Sequence, residues 1–514
     1  MSYYRSLKRT DKLVDGKFPV TTPESQGIYS RDIAAFLKQM QQEHIEIHNL
    51  QIVRNGYAIV NYKRKPMEQD RMHRIYSSAK GLLTTAVLFA VQEGILSLNE
   101  KIVDIFPESI PEGMDPVMKE ISLYDILNMA SGHDHNIFHE LRNTDDWIKG
   151  FFEIPLGHKP GEVFSYNNAA PNMVAQIIKK RTGLDVPEYL KPRLLDPLGI
   201  QLEIDYNWLD KLEPTTTRMT ADGMLRYAVF YSQKGVWDGK QLLREDLVEM
   251  VGKRHVPAEG GDPNVDYMTG FGLYGSTIKN GGFIFYGGMT NHAIVFRREN
   301  LSVSLLCNER REAHIYYSLA EKILNRTYER ELDADEEGYK ELLALCENDS
   351  IAYPGQSHGD AQLEKAINGR TFVMNANGRD LETIEFRLED GIQVITKQKG
   401  ITEVTTCGLD GDWTENDHFL IAEPDYSERP GVRGYIPNEI PGQEKLPVLA
   451  SAVWVSPQEL VIFTRSHFYM STSRFHCVFG EDGLKINAHT YFLPQDPPEA
   501  YYSENMNVLT GVLG

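Results

Sequence analysis

The stretch IYSSAKGLL, Ile75 to Leu83, places Ser77 three residues ahead of Lys80 and then runs straight into apolar residues. Burial disfavours the charged form of a lysine, so a lysine on the way into an apolar helix calls for a reason. If the helix begins near Ser77, the serine hydroxyl sits at its positive end, where backbone N–H groups gather, and Lys80 lies one turn on over the same face. Serine is a poor nucleophile until a base takes its proton. An ammonium ion cannot be that base, but burial and a positive helix end both favour the neutral amine, which can. The same placement sets the Ser77 N–H where it would stabilise an oxyanion formed on attack. A Ser-x-x-Lys triplet also arises by chance, and its plain reading is a helix cap with a snorkelling lysine.

Working outward, Leu50 to Val60 is two β-rich runs around Asn55-Gly56, the dipeptide of a tight type I′ hairpin. Asp32 to Gln42 carries Ile33, Phe36, Leu37 and Met40 at helical spacing, and Ser78 to Leu96 and Pro171 to Arg181 read as further helices. Phe283 to Tyr286, Ala293 to Phe296 and Leu301 to Leu306 are strand-like. Strands at both ends with helices between them predict an α/β (α+β) domain, one antiparallel sheet covered by helices, over residues 1–328. A charged helical segment and a Gly- and Pro-containing loop fill 329–360. From 361 to 514 short alternating runs, Thr371 to Met374, Ile384 to Leu388, Ile392 to Gln398, Glu459 to Thr464 and Phe475 to Phe479, predict an all-β barrel or sandwich.

The 514-residue chain is long enough for two or three domains, and its net charge of −20 argues against nucleic acid or anionic membrane surfaces as partners. The N-terminal residues lack the apolar core of a secretory signal and no segment has the length of a membrane span, so the expected location is cytoplasmic. Cys307, Cys346, Cys407 and Cys477 lie far apart with no CxxC pair, which points to isolated thiols rather than a zinc site or disulfide framework.

Three other stretches bear on Ser77 and Lys80. Tyr166-Asn167-Asn168 precedes the helix at Pro171, Tyr286-Gly287-Gly288-Met289 ends a strand in a glycine pair, and Leu127-Asn128-Met129-Ala130-Ser131-Gly132 lies between the first two motifs. With Glu93 to Lys101, Phe106-Pro107 and Gly235-Val236-Trp237-Asp238-Gly239, these resemble the serine β-lactamase and penicillin-binding-protein superfamily, in particular its class C-like esterases, D-amino-acid peptidases and amide hydrolases. The resemblance covers roughly residues 20 to 328. It implies Ser77 as acylated nucleophile, Lys80 as general base and Tyr166 as a partner in proton transfer. It further implies Asn168 bonded to Lys80 and to the substrate amide, and the Met289 N–H as second oxyanion donor, with Gly287 and Gly288 letting substrate approach closely. No cofactor or metal is implied.

Tyr286 departs from that pattern, standing where the family carries Lys or His before the small residue and glycine. The missing cation shifts the expectation from β-lactam or carboxypeptidase substrates toward esters or uncharged amides, and Tyr286 itself is read equally as packing or as a substrate contact. Ser131-Gly132-His133-Asp134-His135-Asn136, with His139 and Glu140, could be a metal cluster but is read as a polar loop beside the cleft. His292 is read as a strand histidine rather than an acid or base. The segment from Asn368 onward resembles the lipocalin-like barrels that follow some D-aminopeptidase relatives. The resulting expectation is a serine hydrolase acting through a Ser77 acyl-enzyme on a small molecule or short peptide. The alternatives are a penicillin-binding protein or β-lactamase, and a catalytically silent binding protein on the same fold.

Overall fold

Asn55 and Gly56 both adopt left-handed backbone angles, φ 51° and 83°, as a type I′ turn requires, and fold Ile47–Arg54 (β1) back on Tyr57–Lys63 (β2). The computed structural model describes residues 5–141, 144, 146–204, 217–257, 266–389, 391–418, 420–421, 448–466, 472–481, 483–491 and 508–514. Within them the chain forms two compact units, residues 1–63 with 69–347, and 64–68 with 348–514.

In the first unit β1 and β2 join Met268–Gly272 (β3), Gly275–Ile278 (β4), Phe283–Phe285 (β5), His292–Phe296 (β6) and Leu301–Cys307 (β7) in one sheet of order β2-β1-β7-β6-β5-β4-β3. Every neighbouring pair is antiparallel. Side chains alternate between two cores, as the period of a strand dictates. Ile52, Ile284, Ile294 and Val303 pack with Ile33, Phe36 and Leu37 of helix Ser30–Gln42 (α1), whereas Val53, Phe283, Phe285 and Val295 face the opposite core. That second core is built from Lys80–Gln92 (α2), Ala169–Thr182 (α3) and Ala221–Ser232 (α4). Helices Glu312–Lys322 (α5) and Glu336–Asn348 (α6) add Ile315, Leu319 and Leu342 to the α1 side.

Helix α2 is shorter than the sequence predicts. It starts at Lys80, after a tighter 3-10 turn over Tyr76–Ala79, and stops at Gln92, where Gly94 turns left-handed at φ 73°. Apolar residues continue to Leu96, but Ile95 is exposed and Leu96 is buried from the loop rather than from helix, which is why periodicity overran the end. Helix α6 likewise begins at Glu336, later than the charge pattern of 329–347 implies.

The second unit is a ten-stranded antiparallel sheet that nearly closes into a barrel. Its strands are Thr371–Met374 (β8), Leu381–Arg387 (β9), Ile392–Gln398 (β10), Ile401–Cys407 (β11), Thr414–Asn416 (β12), Val448–Ser456 (β13), Glu459–Ser466 (β14), Thr472–Gly480 (β15), Gly483–Tyr491 (β16) and Val508–Leu513 (β17). The order is β11-β10-β9-β8-β17-β16-β15-β14-β13-β12. Alternate residues such as Ile384 and Phe386, Leu460 and Ile462, and Phe475 and Cys477 fill the interior. The two edge strands meet through one side chain. The carboxamide of Asn416 on β12 accepts from Thr406 N–H at 2.9 Å and donates to Thr406 O at 3.0 Å on β11, replacing the missing ladder bonds. Gly408, just past β11, adds backbone bonds to Ala450 and Ala452 of β13. Among the described residues no helix is long and apolar enough to cross a membrane.

Candidate active site

The Ser77 side is set by strain and by a short sheet. His73–Arg74 pairs with Thr217–Met219, and the Ile75 N–H donates to Thr217 O at 3.1 Å, delivering the chain to Tyr76. Tyr76 is held at φ 48°, a region that non-glycine residues seldom adopt, and Ser77 follows at the bend. Ser77 therefore lies in the 3-10 turn, one step outside the α-helix in which the sequence placed it. The neighbouring Ser78 explains the tightening. Its buried hydroxyl lies 2.7 Å from Phe285 O and 2.5 Å from Asn291 O, so the turn is pulled onto the end of β5 and the loop beyond it.

Lys80 is 3% exposed, and its Nζ donates to Ser77 Oγ at 2.6 Å and to Tyr166 Oη at 2.8 Å. The Tyr166 hydroxyl donates to Ser77 Oγ at 2.9 Å, closing a triangle of three groups. Tyr166 is 38% exposed and marks the open side of that triangle. Ser77 Oγ thus has two titratable groups in hydrogen-bond reach, one buried and one at the rim, the geometry that general-base activation of a hydroxyl needs once Lys80 is the neutral amine.

Tyr166 is carried on a loop bound to the segment that follows Leu127. Ser165 N–H donates to Met129 O at 2.8 Å and Gly161 N–H to Ala130 O at 2.7 Å. Asn168 does not make the bond to Lys80 that the resemblance implies. Its backbone N–H is pinned to Asn136 Oδ1 at 3.0 Å at the start of α3, both hydrogen bonds of Lys80 go to Ser77 and Tyr166, and Asn168 Oδ1 is buried without a partner among the described residues.

On the facing side, Gly287 could carry no other side chain, since an added Cβ would lie 2.3 Å from Ile75 O and 2.4 Å from Asn291 O. Gly288 faces open space, with nothing within 4 Å of its Cβ position. Met289 turns left-handed at φ 61°. Among the described residues neither the Ser77 nor the Met289 N–H has an acceptor, which is the state an oxyanion donor must be in before substrate arrives. Tyr286 packs at the edge of the α1-side core with its ring 5.1 Å from that of His292. Burial and the nearby Glu312 carboxylate push its phenol far above the usual range, so it stays neutral.

His292 is buried, and burial lowers it to about 4. Its Nδ1 lies 3.4 Å from the Gly287 N–H. His133 is likewise buried and lowered to about 4, its Nδ1 3.0 Å from Ser131 Oγ and its ring against Phe151. His135 is exposed, 2.6 Å from carboxylate oxygens of Asp134 and Glu140, which raise it. The His139 side chain lies outside the described residues. Among the described residues no group of three or more such side chains is arranged to hold a metal ion.

Residues 36–325, more than half of the chain, match the family model described as Beta-lactamase. This chain belongs to the beta-lactamase family. Similar members include the acyltransferase mokF of Monascus pilosus, 27% identical over 201 residues, covering 33% of this chain and 48% of that protein. The lovastatin esterase of Penicillium rubens is 23% identical over 167 residues, 28% of this chain and 42% of the esterase. The chain thus spans less than half the length of either relative. Among solved structures, EstCE1, a hydrolase with promiscuous acyltransferase activity, has 17% identity and a TM-score of 0.48, covering 56% of this chain and 99% of that one. The octameric penicillin-binding protein homologue from Pyrococcus abyssi has 14% identity and a TM-score of 0.45, covering 89% of this chain and 97% of that one.

In this beta-lactamase-family chain, two positions around the site escaped the sequence reading. Ser78 carries no signal in the sequence beyond its place inside the Ser-x-x-Lys motif, although its hydroxyl joins the two sides of the site. Asn136 stood out only as part of a histidine-rich loop.

Proposed function

We propose that the protein is a serine hydrolase that forms an acyl-enzyme on Ser77 and acts on esters or small amides, short peptides with D-residues included. The observation that carries this reading is the closed Ser77–Lys80–Tyr166 triangle. The neutral Lys80 amine takes the Ser77 proton as Oγ attacks the carbonyl, directly or by relay, Tyr166 passing its own proton to Lys80 and receiving that of Ser77. The N–H groups of Ser77 and Met289 are the proposed donors to the oxyanion. Tyr166, at the exposed side, is placed to hand the proton to the leaving group and to take one from the incoming water. Tyr286 offers a neutral phenol where a cation would be needed to hold a carboxylate, which favours uncharged acyl groups over penicillins. The names of the similar acyltransferase and esterase support acyl transfer as the reaction class, with an alcohol as a possible acceptor beside water.

The test is release of p-nitrophenol from p-nitrophenyl butyrate by wild type and Ser77→Ala at neutral pH, together with intact mass after quenching. Turnover abolished by the substitution and a butyryl adduct on the wild type alone are expected. Equal turnover in both proteins would sink the nucleophile assignment. Failure of any ester, amide or penicillin to acylate Ser77 would favour the reading of a silent binding protein.

A further inference from the structure

Between Gly287 and Asn291 the chain runs through two residues in a conformation that suits neither. Met289 and Thr290 sit at φ 61° and 60°, in the left-handed region that a Cβ disfavours and a β-branched side chain disfavours most. For Met289 an easy escape exists. Turning the Gly288–Met289 peptide over, the move that interconverts type I and type II turns, would carry Met289 φ by about 180° into the extended region open to every residue. The other torsion that changes belongs to Gly288, which tolerates it. Something must therefore hold that peptide in its strained orientation.

The Asn291 carboxamide is placed to do so. It is fully buried and reaches back to donate from Nδ2 to Gly288 O at 2.8 Å, with longer bonds to Met289 O and Cys307 O at 3.3 Å, while Oδ1 accepts the Cys307 N–H at 3.3 Å. Gly288 O and the Met289 N–H belong to one trans peptide and point to opposite sides of it. Fixing the carbonyl on the buried carboxamide thus turns the N–H away from it, and that N–H meets no acceptor among the described residues. Donation to the carbonyl also polarises the peptide and makes its N–H the stronger donor. The same residue is bonded to the Ser77 turn. Asn291 O lies 2.5 Å from Ser78 Oγ, and a Cβ on Gly287 would lie 2.3 Å from Ile75 O and 2.8 Å from Ser78 Oγ. Residues on both sides of Ser77 are therefore in contact with the loop that carries the Met289 N–H.

We propose that Asn291 is a positioning residue for the oxyanion site: its carboxamide holds the Gly288–Met289 peptide in the strained orientation that presents the Met289 N–H to the substrate oxygen. Asn291 itself touches no reacting atom. It supplies the preorganisation that an oxyanion donor needs, a dipole already aimed before charge develops. This inference rests on the reading of the Met289 N–H as a donor to the intermediate formed on Ser77.

Asn291→Ala removes the hold and leaves Gly288 and Met289 in place. Its kcat for p-nitrophenyl butyrate is expected to fall by about a hundredfold with KM within about twofold, since an oxyanion donor acts on the transition state rather than on the bound ester. Butylboronic acid reports on the same site: Ser77 Oγ bonds to its boron, the serine proton passes to the base, and a boronate oxygen takes the place of the oxyanion. Its inhibition constant should weaken by a similar factor. Stability falls too, because the bonds to Cys307 go with the carboxamide, so both constants are measured well below the melt. An unchanged kcat, a loss carried by KM, or undiminished boronate affinity would overturn the proposal. A crystal structure of Asn291→Ala tests it without turnover. The Gly288 carbonyl is expected to have turned over and Met289 φ to be negative, and a peptide that keeps its orientation contradicts the hold. If that variant does not fold, the wild-type boronate adduct decides. A boronate oxygen on the Met289 N–H with Gly288 O still on Asn291 supports the proposal, and release of Gly288 O from Asn291 refutes it. A wild type that neither turns over esters nor takes boronate fails the hydrolase reading, while the peptide in Asn291→Ala still decides this one.

Discussion

The two sides of the site are held together by different means. On the nucleophile side, Ser77, Lys80 and Tyr166 are bonded to one another through their side chains, and the backbone serves to bring them within 2.6 to 2.9 Å. On the facing side, from Gly287 to Asn291, the bonds run to structural groups. Gly287 N–H goes to His292, the Asn291 carboxamide to Gly288 O at 2.8 Å, and the Thr290 hydroxyl to Glu309 O at 2.9 Å. The first side carries the reactive functional groups and the second carries a shape. Substitutions on one should therefore change rate at nearly constant stability, and on the other stability first.

The largest effect expected on that basis is from Lys80→Ala. Ester turnover should fall by about a thousandfold or more while the thermal melt moves little, and retention within tenfold would remove the lysine from the role of base. Tyr166→Phe should lower kcat by about a hundredfold, because Lys80 remains bonded to Ser77. On the facing side the two glycines separate cleanly. Gly287→Ala drives a Cβ into two backbone carbonyls and should destabilise by about 2–4 kcal/mol in urea unfolding. Gly288→Ala meets open space and should stay within about 0.5 kcal/mol. If both alanines unfold at the same urea concentration, the facing side is not the rigid template described.

A smaller and slower-varying effect concerns pH. His133 and His292 are lowered to about 4 by burial, whereas an unfolded histidine titrates near 6.5. The unfolded chain then binds more protons than the folded one between those values, so stability is full above about pH 6.5 and declines as pH falls toward 4. Each histidine should contribute about 1.4 kcal/mol per pH unit across that window. Replacing His292 with leucine should roughly halve the loss measured between pH 6.5 and 5 by urea unfolding. An unchanged slope would show that the ring is not held neutral.

How much of this was legible beforehand follows from how local each cause is. The Asn55-Gly56 hairpin could be read from two residues because its turn type is decided by them alone. That Ser77, Lys80 and Tyr166 come together was legible because the motifs that hold them restrict residue type and spacing. The start of α2 was misread because the 3-10 turn is imposed by Ser78 reaching Phe285 and Asn291, more than 200 residues away in sequence. The expected bond from Asn168 to Lys80 is absent for a similar reason, since the Asn168 backbone is positioned by Asn136, a residue of another loop. The turn at Leu273-Tyr274 breaks the local rule for left-handed positions, and only distant anchors such as Asn128, bonded to the Leu273 N–H, account for it.

Ser78 also sets the terms for anyone wishing to redesign this protein. A mutagenesis library would naturally randomise the two letters inside the Ser-x-x-Lys signature, since neither enters the proposed chemistry. The first of them is a rivet between the nucleophile turn and the strand-end loop, with two carbonyl oxygens within 2.7 Å of its hydroxyl. Diversity placed there would unfasten the pocket, whereas diversity at Gly288, which borders empty space, can grow side chains into it while leaving the fastening intact.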